Sequence, residues 1–329
     1  MSQALGAFDP PRWLRGPHLQ SVLGSSPLRA IRARARLRAC AAHHQDVVLE
    51  AGPGVRLHGV HSARPGTDPC GLVVLLHGWE GSVDSNYMRL TAARLLDAGF
   101  AVFRLNFRDH GDSHHLNEGL FHSNRIDEIV EAVRAIAARW PQRPLFAAGY
   151  SLGGNFALRL ALRAHSHGLP LQRVVAVCPL LDPARAMAAM ETGLPLYIRY
   201  FERKWRRSLV RKRDLFPHRH GFADDVLRLR LRALTEWMVL RHTDFATLDD
   251  YFEGYSVAGE RLRGLPIPAD ILMSADDPVI PLRDFEQVAG FPNVQLELAA
   301  HGGHCGFIEN ASLDGYAERW VAARLAAAV

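Results

Sequence analysis

The chain has 329 residues, 48% of them hydrophobic and 22% charged, so it can bury a sizeable core and needs no more than one α/β domain with an insertion. Its four cysteines, Cys40, Cys70, Cys178 and Cys305, are scattered without a Cys-x-x-Cys pair, which argues against a disulfide framework and against a zinc site and fits a reducing cytoplasm. The net charge of +5 comes from clustered arginines with no nucleic-acid-binding motif, and the sequence shows neither a secretory opening nor the roughly 18 consecutive apolar residues of a membrane span.

Residues 32–37 alternate arginine with alanine and leucine, which predicts an edge strand with one solvated face. Segments 46–50 and 55–61, parted by Gly52-Pro53-Gly54, read as a hairpin that opens a sheet. From Leu72 the chain alternates strand and helix. Residues 72–76 form an apolar strand that runs into His77-Gly78-Trp79-Glu80-Gly81-Ser82. Residues 86–96 are helical, 101–106 a strand, and 126–140 a helix with Ile126, Ile129, Val130, Val133, Ile136 and Trp140 on one face. The loop between these last two holds Asp109, His110, Asp112, His114, His115 and His122. No pair among them is held at i, i+4 spacing by an evident helix, so the segment reads as a polar loop and not as a metal site.

Further strands are expected at 145–148, 173–178, 269–274 and 294–298. This alternation demands right-handed crossovers and a mostly parallel central sheet with helices on both faces. Residues 182–264 break the rhythm: they are helix-rich and charged, and they hold 11 of the 28 aromatic residues. Enrichment in rigid apolar side chains predicts a helical lid inserted within a single domain of residues 1–329. In this segment Tyr197, Phe201, Trp205 and Leu209 recur every fourth residue beside a basic cluster that includes Arg199, Arg203, Arg207 and Arg211. The first reading is a helix docked on the core with a solvated basic back; the second is weak membrane-surface contact through this lid helix.

Chemistry concentrates at Gly149-Tyr150-Ser151-Leu152-Gly153, which follows an apolar run and precedes the helix-forming stretch 155–162. This is the strand-turn-helix setting of a nucleophile elbow. The turn must hold the Ser151 hydroxyl clear of the sheet, so its backbone is strained and its neighbours cannot carry bulk, which glycine on both sides satisfies. A serine hydroxyl is a weak nucleophile at neutral pH, so a histidine base and an orienting carboxylate are expected downstream in the order Ser, Asp, His. Strand 269–274 ends in Ala275-Asp276-Asp277-Pro278-Val279-Ile280-Pro281, a loop ahead of an expected helix and at the strand end where an open parallel sheet gathers its active-site groups. Asp277 is favoured over Asp276, because the Val279-Ile280-Pro281 turn aims its carboxylate back at the histidine; Asp276 is left as a solvated loop or cap residue. His304, within Gly302-Gly303-His304-Cys305-Gly306-Phe307, is the expected base and His301 a structural loop residue. No His-Glu-x-x-His helix accompanies the two histidines, so no metal is expected there. Charge building on a substrate carbonyl needs preorganised donors, for which the backbone N–H groups of Leu152 and Trp79 are the candidates.

Trp13-Leu14-Arg15-Gly16-Pro17-His18-Leu19-Gln20 and Asn106-Phe107-Arg108 join these motifs in a set that runs from residue 13 to 307. By that set the chain resembles the α/β-hydrolase superfamily, and more narrowly its YheT-type branch, which groups bacterial esterases with eukaryotic abhydrolase-domain proteins. The resemblance implies the α/β-hydrolase fold and a serine hydrolase acting on carboxylic esters, with Ser151, Asp277 and His304 at the family's charge-relay positions. Asp109-His110 departs from the glycine and small residue usual in relatives after Asn106-Phe107-Arg108.

These features point to a cytoplasmic serine esterase that works through an acyl-enzyme, uses no cofactor or metal, binds no nucleic acid, and takes small-molecule or lipid-like esters with an apolar acyl group. The rival enzymes are an acyltransferase or thioesterase sharing the same intermediate. The rival outside catalysis is a binding protein on the hydrolase scaffold with a vestigial triad.

Overall fold

The chain, described over residues 7–141 and 144–329 of a computed structural model, opens with two helices, α1 (Pro17–Gly24) and α2 (Pro27–Ala39), and an antiparallel hairpin, β1 (His43–Glu50) and β2 (Arg56–Ala63). Residues 1–6, the beginning of the polar N-terminal stretch, lie outside the described residues. The alternating segments β3 (Leu72–Leu76), α3 (Asn86–Asp97), β4 (Ala101–Leu105), α4 (Ile126–Arg139), β5 (Leu145–Tyr150), α5 (Leu152–Arg163) and β6 (Leu171–Val177) follow. Four helices come next: α6 (Pro183–Thr192), α7 (Pro195–Leu215), α8 (Leu231–His242) and α9 (Leu248–Tyr255). Strands β7 (Ala269–Ser274) and β8 (Val294–Ala299) and helix α10 (Tyr316–Ala326) complete the chain.

The eight strands make one sheet in the order β1-β2-β4-β3-β5-β6-β7-β8, antiparallel across β1, β2 and β4 and parallel beyond. Every residue of β3, β4, β5 and β7 is buried, as expected for parallel strands covered on both faces. Helices α2, α3 and α10 pack together on one face, and α4 and α5 on the other. The chain leaves β3 toward β4 and returns to β5 on β3's other side, so the carboxyl ends of β3 and β5 flank a topological switch point, where open α/β sheets form their ligand crevices.

Two local expectations are corrected. Residues 32–37 lie inside α2 and do not form an edge strand. Alanine, leucine and arginine are all strong helix formers, Ser26 caps the helix by accepting from the Arg29 N–H, and Pro27 sits at its first position. The buried residues Arg29, Ala33 and Leu37 follow the four-residue helical spacing, and the Arg29 guanidinium is matched deep in the protein by Glu318 at 2.7 Å. The helix expected between β7 and β8 is replaced by two 3₁₀ turns, Leu282–Phe285 and Val288–Gly290. The connection is too short for a helix between Pro281 and the Gly290-Phe291-Pro292 stop.

Helices α6 to α9 span the interval between β6 and β7 and stand over the carboxyl edge of the sheet. One link between α7 and the loop after β4 is ionic and buried. The Lys212 ammonium, 1% exposed, donates to Asp109 at 2.6 Å, to the His114 carbonyl at 3.1 Å and to the Asn117 carbonyl. No helix among the described residues is long and apolar enough to cross a membrane.

Candidate active site

The turn from β5 into α5 places Ser151 at φ 54°, ψ −118°, a conformation that non-glycine residues rarely adopt. Its tightness explains the glycines. A Cβ on Gly149 would lie 2.1 Å from the Gly153 carbonyl oxygen, and one on Gly153 would lie 2.2 Å from that of Leu76. The Ser151 N–H donates to Val177, and Asn155 ties the elbow to the Leu180 and Tyr255 carbonyls at 2.9 and 2.8 Å.

Ser151, His304 and Asp277 meet here from three distant segments. His304 Nε2 lies 2.9 Å from Ser151 Oγ, and His304 Nδ1 lies 2.8 Å from Asp277 Oδ2. The other carboxylate oxygen of Asp277 accepts the N–H groups of Val279 at 2.8 Å and Ile280 at 2.9 Å, and its side chain is fully buried. With Asp277 fixed by two N–H donors, its free oxygen accepts the Nδ1–H hydrogen bond, which leaves Nε2 to face the serine. Burial disfavours the imidazolium, but the charge of Asp277, that of Cys305 and the hydrogen bond outweigh it and raise the His304 pKa to about 9.

Asp276 has a different place. Its Oδ1 accepts the Gly303 N–H at 2.9 Å and the Ser274 hydroxyl, so it fastens the base of the histidine loop, while His301 stands 3.5 Å from its other oxygen. Helix α1 holds the same loop from the other side. Ser21 accepts the His304 N–H at 2.9 Å, and the buried Gln20 bonds Leu14 and both backbone groups of Ile308. Sequence reasoning gave Gln20 and Ser21 no role, and only the motif at 13–20 marked the segment.

The loop after β3 is held by groups that sequence reasoning also missed. His77 Nδ1–H donates to the Gly78 carbonyl at 2.8 Å and Nε2 accepts the Phe107 N–H at 3.2 Å; His110 bonds the Arg108 carbonyl and accepts the Glu80 N–H. Burial drives both rings to the neutral form, with His110 lowered to about 4. Tyr87 accepts the Gly78 N–H at 2.9 Å, and Lys204 of α7 donates to the Glu80 carbonyl at 2.7 Å. Desolvation raises the carboxyl of the partly exposed Glu80 to about 8. The Leu152 N–H opens α5, where helix geometry leaves it without an intrahelical acceptor. Among the described residues neither it nor the Trp79 N–H donates to a protein acceptor. The loop at 109–122 assembles no metal cluster among the described residues: Asp109 binds Lys212 and the Phe121 N–H, and His114 binds Ser208.

Two cavities meet at Ser151. One is apolar, walled by Leu152, Leu180, Met187, Phe201, Trp205 and Met238. The other is polar and runs past Tyr87, Asn86, Glu80 and Lys204 to His304. Trp79, stacked on Phe201 with centroids 5.1 Å apart, divides them. Cys178 and Cys305, 127 positions apart in the sequence, come together beside His304.

A sequence profile of the α/β-hydrolase fold matches residues 71–311, and the chain belongs to that family. Within it the chain is similar to proteins of the YheT branch. It is 26% identical to YheT of Escherichia coli (strain K12) over 257 residues, 77% of this chain and 74% of that protein. It is also 26% identical to phospholipase ABHD3 of Mus musculus over 246 residues, which cover 72% of this chain but only 58% of the phospholipase. Among solved structures, the Pyrococcus furiosus esterase Pf2001 matches the fold with a TM-score of 0.59 at 16% identity, covering 99% of this chain and 98% of the esterase.

Proposed function

We propose that the protein is a serine hydrolase of carboxylic esters whose reaction passes through an acyl-enzyme. The observation that carries this is the unbroken chain from Asp277 through His304 to the Ser151 hydroxyl, at 2.8 and 2.9 Å, opening on a cavity with one apolar and one polar arm. His304 Nε2 takes the Ser151 proton as the oxygen attacks the ester carbonyl. The Leu152 and Trp79 N–H groups receive the developing oxyanion, and the positive end of α5 adds to them. His304 then protonates the leaving alcohol, and water repeats the sequence to free the acid. Asp277 holds the ring and stabilises the imidazolium without taking its proton.

In this reading the acyl group lies in the apolar arm beneath residues 182–264, which act as a lid, and the alcohol departs through the polar arm. The relatives named phospholipase agree with a lipid-like ester. Exposed Leu194, Leu196 and Tyr200 at the start of α7, followed by its arginines, fit weak contact with an anionic lipid surface. A fluorophosphonate probe tests the nucleophile: wild type labels and Ser151→Ala does not, and strong labelling of the alanine variant would remove Ser151 from the mechanism. A series of p-nitrophenyl esters tests the cavity: longer acyl chains should lower KM, and a preference for acetyl with no gain on lengthening would exclude the apolar arm as the acyl site. Co-sedimentation with anionic against zwitterionic vesicles tests the lid surface, where equal recovery would discard electrostatic contact.

A further inference from the structure

We propose that Cys178, Cys305 and His304 form an inhibitory binding site for a thiophilic divalent cation of the zinc class, built onto the histidine that serves as base. The effect on activity rests on the esterase reading; the binding itself does not.

One ligand atom from each of the three residues lies within 4.8 Å of the other two. Two thiols, one imidazole and an open fourth position match the donor set of zinc sites with three protein ligands. Tetrahedral zinc holds donors at ~2.0–2.3 Å, which sets them ~3.3–3.8 Å apart, so the cluster needs to contract by about 1 Å. Nothing strong opposes that contraction. The hydrogen bonds that the two sulfurs donate to backbone carbonyls are long ones, Cys178 to Gly303 at 3.9 Å and Cys305 to Val177 at 3.8 Å.

The surroundings complete the site. Metal-binding histidines usually donate their other ring N–H to a carboxylate, which fixes the tautomer and raises ligand basicity. Asp277 does this for His304 at 2.8 Å, leaving Nε2 for the cation. Ser151 Oγ, 2.9 Å from Nε2, or a water molecule takes the fourth position. Access runs through the polar cavity, which reaches Ser151, His304 and Cys305 together. On binding, each thiol gives its proton to solvent and its sulfur donates a lone pair, with no change of oxidation state. The Nε2 lone pair then belongs to the metal, and His304 cannot deprotonate Ser151.

Purified protein, stripped with EDTA and desalted, is assayed on a p-nitrophenyl ester with zinc or magnesium chloride. Zinc should inhibit reversibly on EDTA addition and magnesium should not. Cys178→Ala should keep basal turnover, and Cys305→Ala is compared with its own zinc-free rate. Losing a second-sphere partner costs ~10–100-fold in metal affinity, so losing a ligand should raise the half-inhibitory zinc concentration by more than ~10-fold. Cobalt(II) should give the wild type a thiolate-to-metal charge-transfer absorption that the double variant lacks. Equal zinc sensitivity in wild type and variants, or no cobalt band in the wild type, overturns the proposal. A cobalt band in a protein that cleaves no ester keeps the site and refutes the esterase reading; ester cleavage without the band does the reverse. If the variants fail to fold, zinc protection of Cys305 from iodoacetamide in the wild type, read by mass spectrometry, decides: protection supports the site, and unchanged alkylation overturns it.

Discussion

Replacing Asp277 by asparagine removes its charge and reverses one hydrogen bond. The amide oxygen can keep the Val279 and Ile280 N–H groups, now at 2.8 and 2.9 Å from Oδ1, and this turns the NH2 group toward His304 Nδ1. An amide NH2 donates and cannot accept, so the ring must carry its proton on Nε2 and present an N–H to Ser151 Oγ. The base is then blocked in place. The corresponding change in a serine protease lowers kcat ~10⁴-fold, and a loss of ~10³–10⁴-fold, or ~4–5 kcal/mol of barrier, is expected here. Asp276→Asn should cost less than ~10-fold, because an amide oxygen can still accept from Gly303 and Ser274 and no tautomer depends on it. The assay is kcat on a p-nitrophenyl ester at fixed pH for both variants, with thermal melts to verify folding. A larger loss in Asp276→Asn, or an Asp277→Asn enzyme within tenfold of wild type, would refute the assignment of the carboxylate.

Gly153→Ala places a Cβ 2.2 Å from the Leu76 carbonyl oxygen and 2.5 Å from that of His77, so α5 must separate from β3; a loss of ~3 kcal/mol or more is expected, and a wild-type melting curve would contradict this packing. Lys212→Ala leaves the buried Asp109 carboxylate and two carbonyls without their donor, which should cost ~3–5 kcal/mol and speed proteolysis within 182–264; the double change Asp109→Asn with Lys212→Met should recover much of the loss. The folded His304 pKa, about 9 against 6.5, means that the pair's stabilising contribution of ~3 kcal/mol is complete below pH 6.5 and is lost as pH rises through about 9. Over the same window the neutral base forms, so kcat/KM should rise while the melting temperature falls. Asp277→Asn should flatten both curves, and a wild-type melting temperature that climbs between pH 6.5 and 9 would contradict the sign.

The parallel core was legible because its strands are short unbroken apolar runs, such as Leu72–Leu76, set between helices with clear 3.6-residue periodicity. The preference for Asp277 came from its spacing to Val279-Ile280-Pro281, a turn that aims the carboxylate; the hold of the Val279 and Ile280 N–H groups on it is seen only in the structure. Alternating Arg and Ala at 32–37 was ambiguous, since the pattern suits a strand face and the composition suits a helix. The Ser26 cap and Pro27 favour the helix locally, while the pairing of Arg29 with Glu318 across the fold, which fixes its buried face, is a contact that no local window contains. The same holds for the meeting of Cys178 with Cys305, the clamp of Gln20 and Ser21 on the histidine loop, and the neutral pair His77 and His110 that bonds the loop after β3. Each depends on side chains brought together only by tertiary packing.

Backbone strain marks the site without reference to any chemical motif. Of eight non-glycine residues with positive φ among the described residues, seven lie in the stretches that follow strands of the sheet, and the first in each of the five stretches are Glu80 after β3, Asp109 after β4, Ser151 after β5, Cys178 after β6 and Cys305 after β8. Such a conformation costs on the order of 1–3 kcal/mol and persists only where the surroundings over-determine it. Here they do, through the Lys212 ion pair at Asp109, the His110 and Lys204 bonds to Glu80, and the Ser151 N–H to Val177. Motif reasoning assigns a reason to Ser151 alone among the five. Cys178 has no part in ester cleavage, yet it sits at φ 44° with its thiol turned toward His304 and Cys305, and the cation site gives that strain a purpose that simple packing of a small buried residue would not require.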